Sequence, residues 1–175
     1  MKKVLCAWLT ALTMFVFCSV PLAASAQTDA GTDIPYDPIA ASQINENTAH
    51  GLYDFDNSEI STRASNIIRA VTLTLVKDGH TLKLYAQTES VGIVLKVGFT
   101  EVVVQRLVNG EWTTYTQWTD YYFENTGVCS LGKAITNVPS GTYRAYCYHY
   151  AEKDGFLFWN DKQEYYNETS TVVIS

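Results

Sequence analysis

Hydrophobic and polar side chains alternate along the chain after residue 67, beginning with a pair of short segments. Val71, Leu73 and Leu75 alternate with neighbours that are mostly threonine, and residues 82–86 repeat the alternation. A period of two is typical of a half-buried β-strand. Between the segments lies Asp78-Gly79, and Asp-Gly supplies the positive φ of a tight turn. The pattern therefore predicts a β-hairpin.

A longer apolar stretch, residues 91–108, precedes a second predicted hairpin. It contains Gly92 and Gly98, and because a glycine within a strand often marks a bend, we expect a break near Gly98. Asn109-Gly110 then provides the strongest short hairpin signal in the chain. Residues 112–123 follow and are rich in Thr, Tyr and Trp, which favour strands.

The turn sets a register for this second hairpin. If Val108 pairs with Glu111, Leu107 lies opposite Trp112 and Val104 opposite Tyr115. One face of the later strand then carries four side chains, namely Trp112, Thr114, Thr116 and Trp118.

A third pair of segments, residues 127–134 and 142–151, flanks a turn at Pro139-Ser140-Gly141. If Ala134 pairs with Thr142, Cys129 lies opposite Cys147; the alternative is that the two cysteines lie on separate sheets. His149 shares the parity of Cys147, so we expect it in the core, bonded to backbone. Short apolar pieces at 156–159 and 171–174 complete the strand pattern.

Seven or eight short strands separated by turns, without a stretch of helical period, predict an all-β domain. The Gly141-x-Tyr143 corner before a cysteine-bearing strand resembles immunoglobulin-like domains. Cys129 lies only eighteen residues before Cys147, unlike the antibody pattern. We therefore expect an immunoglobulin-like β-sandwich of seven to eight antiparallel strands, without the antibody-type disulfide.

The beginning of the chain has the three parts of a secretory signal peptide. Lys2 and Lys3 precede an apolar run, and Ala24-Ser25-Ala26 provides small residues for cleavage. We predict a signal peptide at 1–26; the alternative is an uncleaved anchor, since the apolar run has about the shortest length that spans a bilayer. We therefore expect the protein to be secreted and extracellular, with no membrane contact beyond this peptide.

Two further regions follow the predicted cleavage. Residues 27–66 contain Pro35 and Pro38 and many polar residues, and we expect a poorly ordered acidic lead segment there, with Ile34 and Tyr36 able to dock on a sheet. Residues 67–175 form the predicted β-sandwich domain, because the strand pattern begins there.

The charge of the chain excludes two classes of partner. The net charge is −6, and it becomes −8 when Lys2 and Lys3 leave with the signal peptide. Nucleic acids and anionic lipid surfaces repel a protein of this charge, so we expect neither as a partner.

Only Cys129 and Cys147 remain of the four cysteines after cleavage. A cysteine pair in an exported protein is first interpreted as a disulfide, and we predict that bond here. A catalytic thiol or half of a metal site are the alternatives. Both need further ligands or a base, and His149 is the one such residue nearby in sequence.

Four sequence pieces together resemble a family of small secreted proteins of Gram-positive bacteria, a family of unknown function. They are Thr62-Arg63-Ala64-Ser65, Val102-Val103-Val104-Gln105 before Asn109-Gly110-x-Trp112, Gly141-Thr142-Tyr143-Arg144-Ala145, and Tyr148-x-Tyr150-Ala151. The likeness covers Ser61 to Ser175. It implies a bacterial, exported β-sandwich and carries no catalytic residues to this chain.

Signatures of catalysis and metal binding are few. The sequence has no His-x-x-x-His pair, nucleophile elbow or phosphate-binding glycine loop. We therefore predict no catalytic residues, no metal and no cofactor, and interpret His80 as an exposed turn residue. Asn167-Glu168-Thr169 matches the N-glycosylation acceptor.

Aromatic richness is the unusual feature, with 4 Trp, 12 Tyr and 7 Phe. Tyr146, Tyr148 and Tyr150 alternate with the predicted inward residues, and Trp159 follows them. Rings aligned on a sheet stack on sugars or anchor protein partners; the alternative is that they are ordinary sheet formers covered by the lead segment.

We expect a non-catalytic domain for surface recognition, with a glycan or a cell-envelope or host protein as partner. The candidate ligand-binding residues are Tyr146, Tyr148, Tyr150 and Trp159. Two rival hypotheses are a structural subunit of the cell envelope and a small secreted hydrolase whose acids the fold brings together.

Overall fold

The structure is a computed structural model that describes residues 31–38, 48–54, 67–155 and 160–175. Every element with described bounds is a strand, which confirms the all-β prediction. None of these residues forms a helix long and apolar enough to cross a membrane. The strands are β1 (Thr32–Asp33), β2 (Thr48–Asp54), β3 (Ile68–Asp78), β4 (Thr81–Val108), β5 (Glu111–Ile135), β6 (Gly141–Lys153), β7 (Asp161–Glu168) and β8 (Val172–Ile174).

Both turns of the first two predicted hairpins are present. Asp78 pairs with Thr81 around Gly79, whose φ is 58°. Val108 pairs with Glu111 around Asn109 and Gly110, whose φ values are 53° and 86°. At Asn109-Gly110, positive φ at both central residues is the type I′ geometry that matches the twist of the flanking strands. In the first turn only Gly79 of the central pair Gly79-His80 has a positive φ.

The register of the second hairpin holds only for its first few residues. Leu107 lies opposite Trp112, as predicted, but Val104 lies opposite Thr116 and not Tyr115. Tyr115 is the extra residue of a bulge, and a one-residue shift exchanges the two faces of a strand. The predicted common face is therefore wrong, because Thr116 is buried on the face opposite Trp112.

The third predicted hairpin is wrong. β6 pairs with the second half of β4, and Cys147 lies opposite Val102. Cys129 on β5 lies opposite Thr88, which belongs to the first half of β4. β5 and β6, the strands that carry the cysteines, are therefore not neighbours, because β4 lies between them.

A bend in β4 folds the sheet onto itself. The Thr88 Oγ1 atom lies 2.9 Å from the carbonyl oxygen of Gly98, ten residues later in the same strand. In a straight strand those residues would be about 33 Å apart. Gly92, with a φ of 77°, lies within the register break that separates the two halves of β4.

The bend creates a sandwich-like arrangement within one continuous sheet. The first half of β4 pairs with β3 and the second half pairs with β6, so β3 contacts β6 and β8 across the fold. Apolar side chains of both halves fill the space between them, among them Leu73, Leu84, Phe99, Val104 and Leu131. Burial of these side chains supplies the main stabilisation of the fold.

Two pieces of the lead segment join this sheet. β1 pairs with β5, and the Ile34 N–H donates a 3.1 Å hydrogen bond to the Gly132 carbonyl. The backbones come so close that a Cβ on Gly132 would lie 2.4 Å from the Ile34 oxygen. β2 pairs with β3 along its whole length. The predicted signal peptide lies outside the described residues.

Candidate functional site

The strand β6 presents its tyrosines on the outer side of the second half-sheet. Residues Tyr143, Ala145, Cys147, His149 and Ala151 are buried, and the residues between them are half-buried. This alternation confirms the predicted stripe of Tyr146, Tyr148 and Tyr150. We call this side of β4–β7 the outer face.

Three tyrosines of the outer face form a group that we call the tyrosine cluster: Tyr146, Tyr148 and Tyr166. Tyr166 lies opposite Tyr148 on β7. The ring centroids are 5.1 Å apart for Tyr148 and Tyr166, 5.9 Å for Tyr146 and Tyr166, and 6.1 Å for Tyr146 and Tyr148. Tyr166 is 43% exposed, so the cluster is accessible to a ligand.

Tyr150 belongs to a second aromatic pair. Tyr122 on β5 and Tyr150 on β6 both lie opposite Gly98 on β4, and their centroids are 5.3 Å apart. Gly98 has no side chain, so the two rings meet over it although a whole strand separates them. The Lys96 Nζ atom lies 3.8 Å from the Tyr122 centroid and 6.0 Å from that of Tyr150. The sequence alone does not indicate a role for Tyr122, because its pairing depends on the register of β5.

An arginine and a tryptophan occupy the other end of the outer face. The Arg144 guanidinium carbon lies 4.5 Å from the Trp112 ring centroid. Its Nε–H donates to the Gln105 side-chain oxygen at 2.8 Å, and its Nη1 lies 3.3 Å from Glu168. Hydrogen bonds on both sides therefore hold the cation over the indole ring.

Carboxylates lie beside two of the tyrosine hydroxyls and accept hydrogen bonds from them. The Tyr166 hydroxyl donates to Glu168 at 2.8 Å, and the Tyr146 hydroxyl donates to Glu101 at 3.4 Å. Burial and the neighbouring Glu168 raise the pKa of Tyr166 to about 12. Burial and Glu101 likewise raise the pKa of Tyr146. The hydroxyls thus stay protonated and act as donors at neutral pH.

The same arrangement recurs at Tyr150, whose hydroxyl donates to Glu152 at 2.6 Å. Burial and this contact raise the pKa of Tyr150, and the hydrogen bond from Tyr150 lowers the pKa of Glu152. Glu164, which lies opposite Tyr150 on β7, accepts a 2.7 Å hydrogen bond from Thr100.

His149 is a core histidine, as expected, but its partners are side chains and not backbone. Its Nδ1 lies 2.8 Å from Thr88 Oγ1 and its Nε2 lies 3.0 Å from Asn167 Oδ1. Burial lowers its pKa to about 4, so the ring is neutral at pH 7. With both nitrogens engaged and no exposure to solvent, His149 cannot act as a base on a substrate.

Two residues of the N-glycosylation acceptor, Asn167 and Thr169, are part of the surroundings of His149. Asn167 is 3% exposed and contacts the histidine ring, and the Thr169 hydroxyl accepts the Ala145 N–H at 2.9 Å. Both side chains are parts of the core, so the folded chain does not present this acceptor.

Cys129 and Cys147 are both fully buried and are free thiols, so the predicted disulfide is not present in this structure. The predicted cross-strand pairing is also absent, since Cys129 lies opposite Thr88 and Cys147 lies opposite Val102. Burial raises the pKa of Cys129 to about 12 and also raises that of Cys147. Protonated thiols are poor nucleophiles, which makes a catalytic role unfavourable.

His80, Trp159 and possible metal ligands are the remaining positions that the sequence raised. His80 is exposed in its turn, as expected, and its Nδ1 lies 3.1 Å from the Val138 carbonyl. Trp159 lies outside the described residues. Among those that are described, no three His, Cys, Asp or Glu side chains are grouped so that they could hold a metal ion.

Comparison with known proteins identifies no relative of this chain. No protein-family model matches it, and neither the curated proteins nor the solved structures contain a match.

Proposed function

We propose that this chain is an exported, non-catalytic domain that recognises a glycan through the tyrosine cluster on its outer face. The observation that carries the proposal is the cluster itself: three rings in mutual contact, with Tyr166 well exposed, on a sheet face that has no second layer among the described strands. Aromatic rings with polar tips stack on the C–H faces of sugars while their surroundings bond the hydroxyls.

The rigidity of the site supports recognition. Tyr146 and Tyr166 are tethered through their hydroxyls to Glu101 and Glu168, so little side-chain freedom is lost when a ligand binds. The sheet beneath is a regular antiparallel pair of β6 and β7. Export rests on the sequence at 1–26, and the likeness to secreted proteins of Gram-positive bacteria agrees with it.

A glycan array tests the proposal. The mature chain is compared with a variant carrying Tyr146→Ala, Tyr148→Ala and Tyr166→Ala, and with a control carrying Phe123→Ala. Phe123 is 45% exposed but lies opposite the core residue Val97, away from the outer face. We expect the triple variant to lose binding at least tenfold and the control to keep it.

Circular dichroism establishes that each variant is folded before the array is interpreted. Equal binding by the folded triple variant would remove the tyrosine cluster from consideration, and an array without any bound glycan would refute the proposed ligand class.

The structural-subunit hypothesis has one supporting observation. β2, from the lead segment, occupies the edge of β3, and such an edge position is one that a neighbouring chain can also fill. Deletion of residues 27–66 followed by measurement of mass in solution tests it. Oligomers that disappear on deletion support assembly, whereas a monomer before and after deletion refutes it.

A further inference from the structure

Both ends of the outer face carry a cation of the chain itself over an aromatic ring. Lys96 lies over Tyr122 at one end, and Arg144 lies over Trp112 at the other. The tyrosine cluster lies between these two pairs. Within the described part of the chain, no lysine or arginine lies over its three rings. The rings in the middle of the face are thus not engaged by a cation of the described chain, in contrast to the rings at its two ends.

The charges on the outer face are complementary to a positive ligand. Residues directly opposite one another on neighbouring strands point to the same side of the sheet, so the registers of β4–β7 show which charged residues lie on the outer face. Its acidic members outnumber its basic members by five to three: Glu101, Glu124, Glu152, Glu164 and Glu168 against Lys96, Arg144 and Lys162. Burial raises the pKa of Tyr146 and Tyr166, and the carboxylate beside each hydroxyl raises it further.

The carboxylates near the cluster keep unused hydrogen-bond acceptor positions. The hydroxyls of Tyr146, Tyr166 and Thr100 already donate to carboxylates, and Arg144 donates to Gln105 and Glu168. A carboxylate has about four acceptor positions, so Glu101 and Glu168 can accept further hydrogen bonds. The face therefore keeps unused acceptor positions at its carboxylates, beside hydroxyls that are already engaged as donors.

Resting on the proposed function, we infer that the ligand is a saccharide chain bearing free amino groups, protonated as ammonium. Its hydroxyls and ammonium groups are donors that match the carboxylate acceptors. Its ring faces stack on tyrosine, and its positive charge is complementary to the tyrosine rings and to the carboxylates beside them.

Calorimetric titration of the mature chain with two hexamers tests the inference: one of glucosamine and one of N-acetylglucosamine. They have equal length and ring stereochemistry and differ in the ammonium group. At a pH where the free amines are protonated, we expect the glucosamine hexamer to bind at least tenfold more tightly. We also expect a tenfold loss in the variant carrying Glu101→Gln and Glu168→Gln, which keeps the side-chain shapes, and no loss in Phe123→Ala.

The outcomes separate the two proposals. Equal affinity for both hexamers would overturn the ammonium requirement and leave glycan recognition standing. Binding of neither hexamer, together with an empty glycan array, would overturn both. A hexalysine peptide that binds while the sugars do not would assign the cluster to a basic protein partner and refute a saccharide. Unchanged affinity of the double Gln variant would refute the role of the carboxylates.

Discussion

Titration of His149 gives the sharpest quantitative prediction about this protein. The ring is buried between Thr88 and Asn167, and burial lowers its pKa from an ordinary value of 6.5 to about 4. Between these two values the unfolded chain binds a proton that the folded chain does not bind. The free energy of unfolding therefore falls as the pH is lowered through this range.

The expected magnitude follows from the two pKa values. Each pH unit between them corresponds to about 1.4 kcal/mol, so full protonation of the unfolded state costs the fold about 3 kcal/mol. The loss begins near pH 6.5 and is complete near pH 4. Below pH 4 both states bind the proton, and this histidine adds no further pH dependence.

Urea unfolding followed by tryptophan fluorescence, at intervals from pH 7.5 to pH 4, measures the effect. The comparison is with His149→Gln, which removes the titrating group and keeps a hydrogen-bonding side chain. Other groups with shifted pKa values, such as Asp78 and Glu152, are present in both proteins, so their contributions cancel in the difference.

We expect the free energy of unfolding of the parent chain to fall by about 3 kcal/mol more than that of the variant over this range. The two proteins need not be equally stable at pH 7.5, because only the slopes are compared. Parallel pH profiles would refute the assignment of His149 as a neutral, desolvated core residue.

Two further predictions concern the bend and the cysteines. Gly98→Ala should lower the free energy of unfolding by about 2–3 kcal/mol, because its Cβ would lie 2.1 Å from the Tyr121 carbonyl oxygen. Gly92→Ala meets nothing within 4 Å and should cost about 1 kcal/mol through its positive φ alone; equal losses in urea titrations would contradict the close approach. In the mature chain, Cys129 and Cys147 should be unreactive towards a thiol reagent in the fold, and both should react in urea, because both are buried and free. No reaction in urea would instead establish the disulfide that the sequence predicts.

Local signals in the chain predicted the strands and two of the turns correctly. Alternation identified β3 and β6, and Asp78-Gly79 and Asn109-Gly110 identified the hairpins, because a turn of two residues fixes its neighbours directly. The same alternation assigned Tyr146, Tyr148 and Tyr150 to one face and His149 to the other. These are properties of adjacent residues, and a period of two is enough to derive them.

Partners distant in the chain were not predictable in this way. Alternation does not say which strand lies beside β6, and the bulge at Tyr115 shifts the register without a mark in the composition. The meeting of Tyr122 and Tyr150 over Gly98 and the position of Tyr166 beside Tyr148 both depend on those pairings. The bend in β4 determines which strands lie side by side, because one edge of this long strand pairs first with β3 and then with β6. The tyrosine cluster is therefore a product of packing between strands, whereas the stripe on β6 is a product of a single strand.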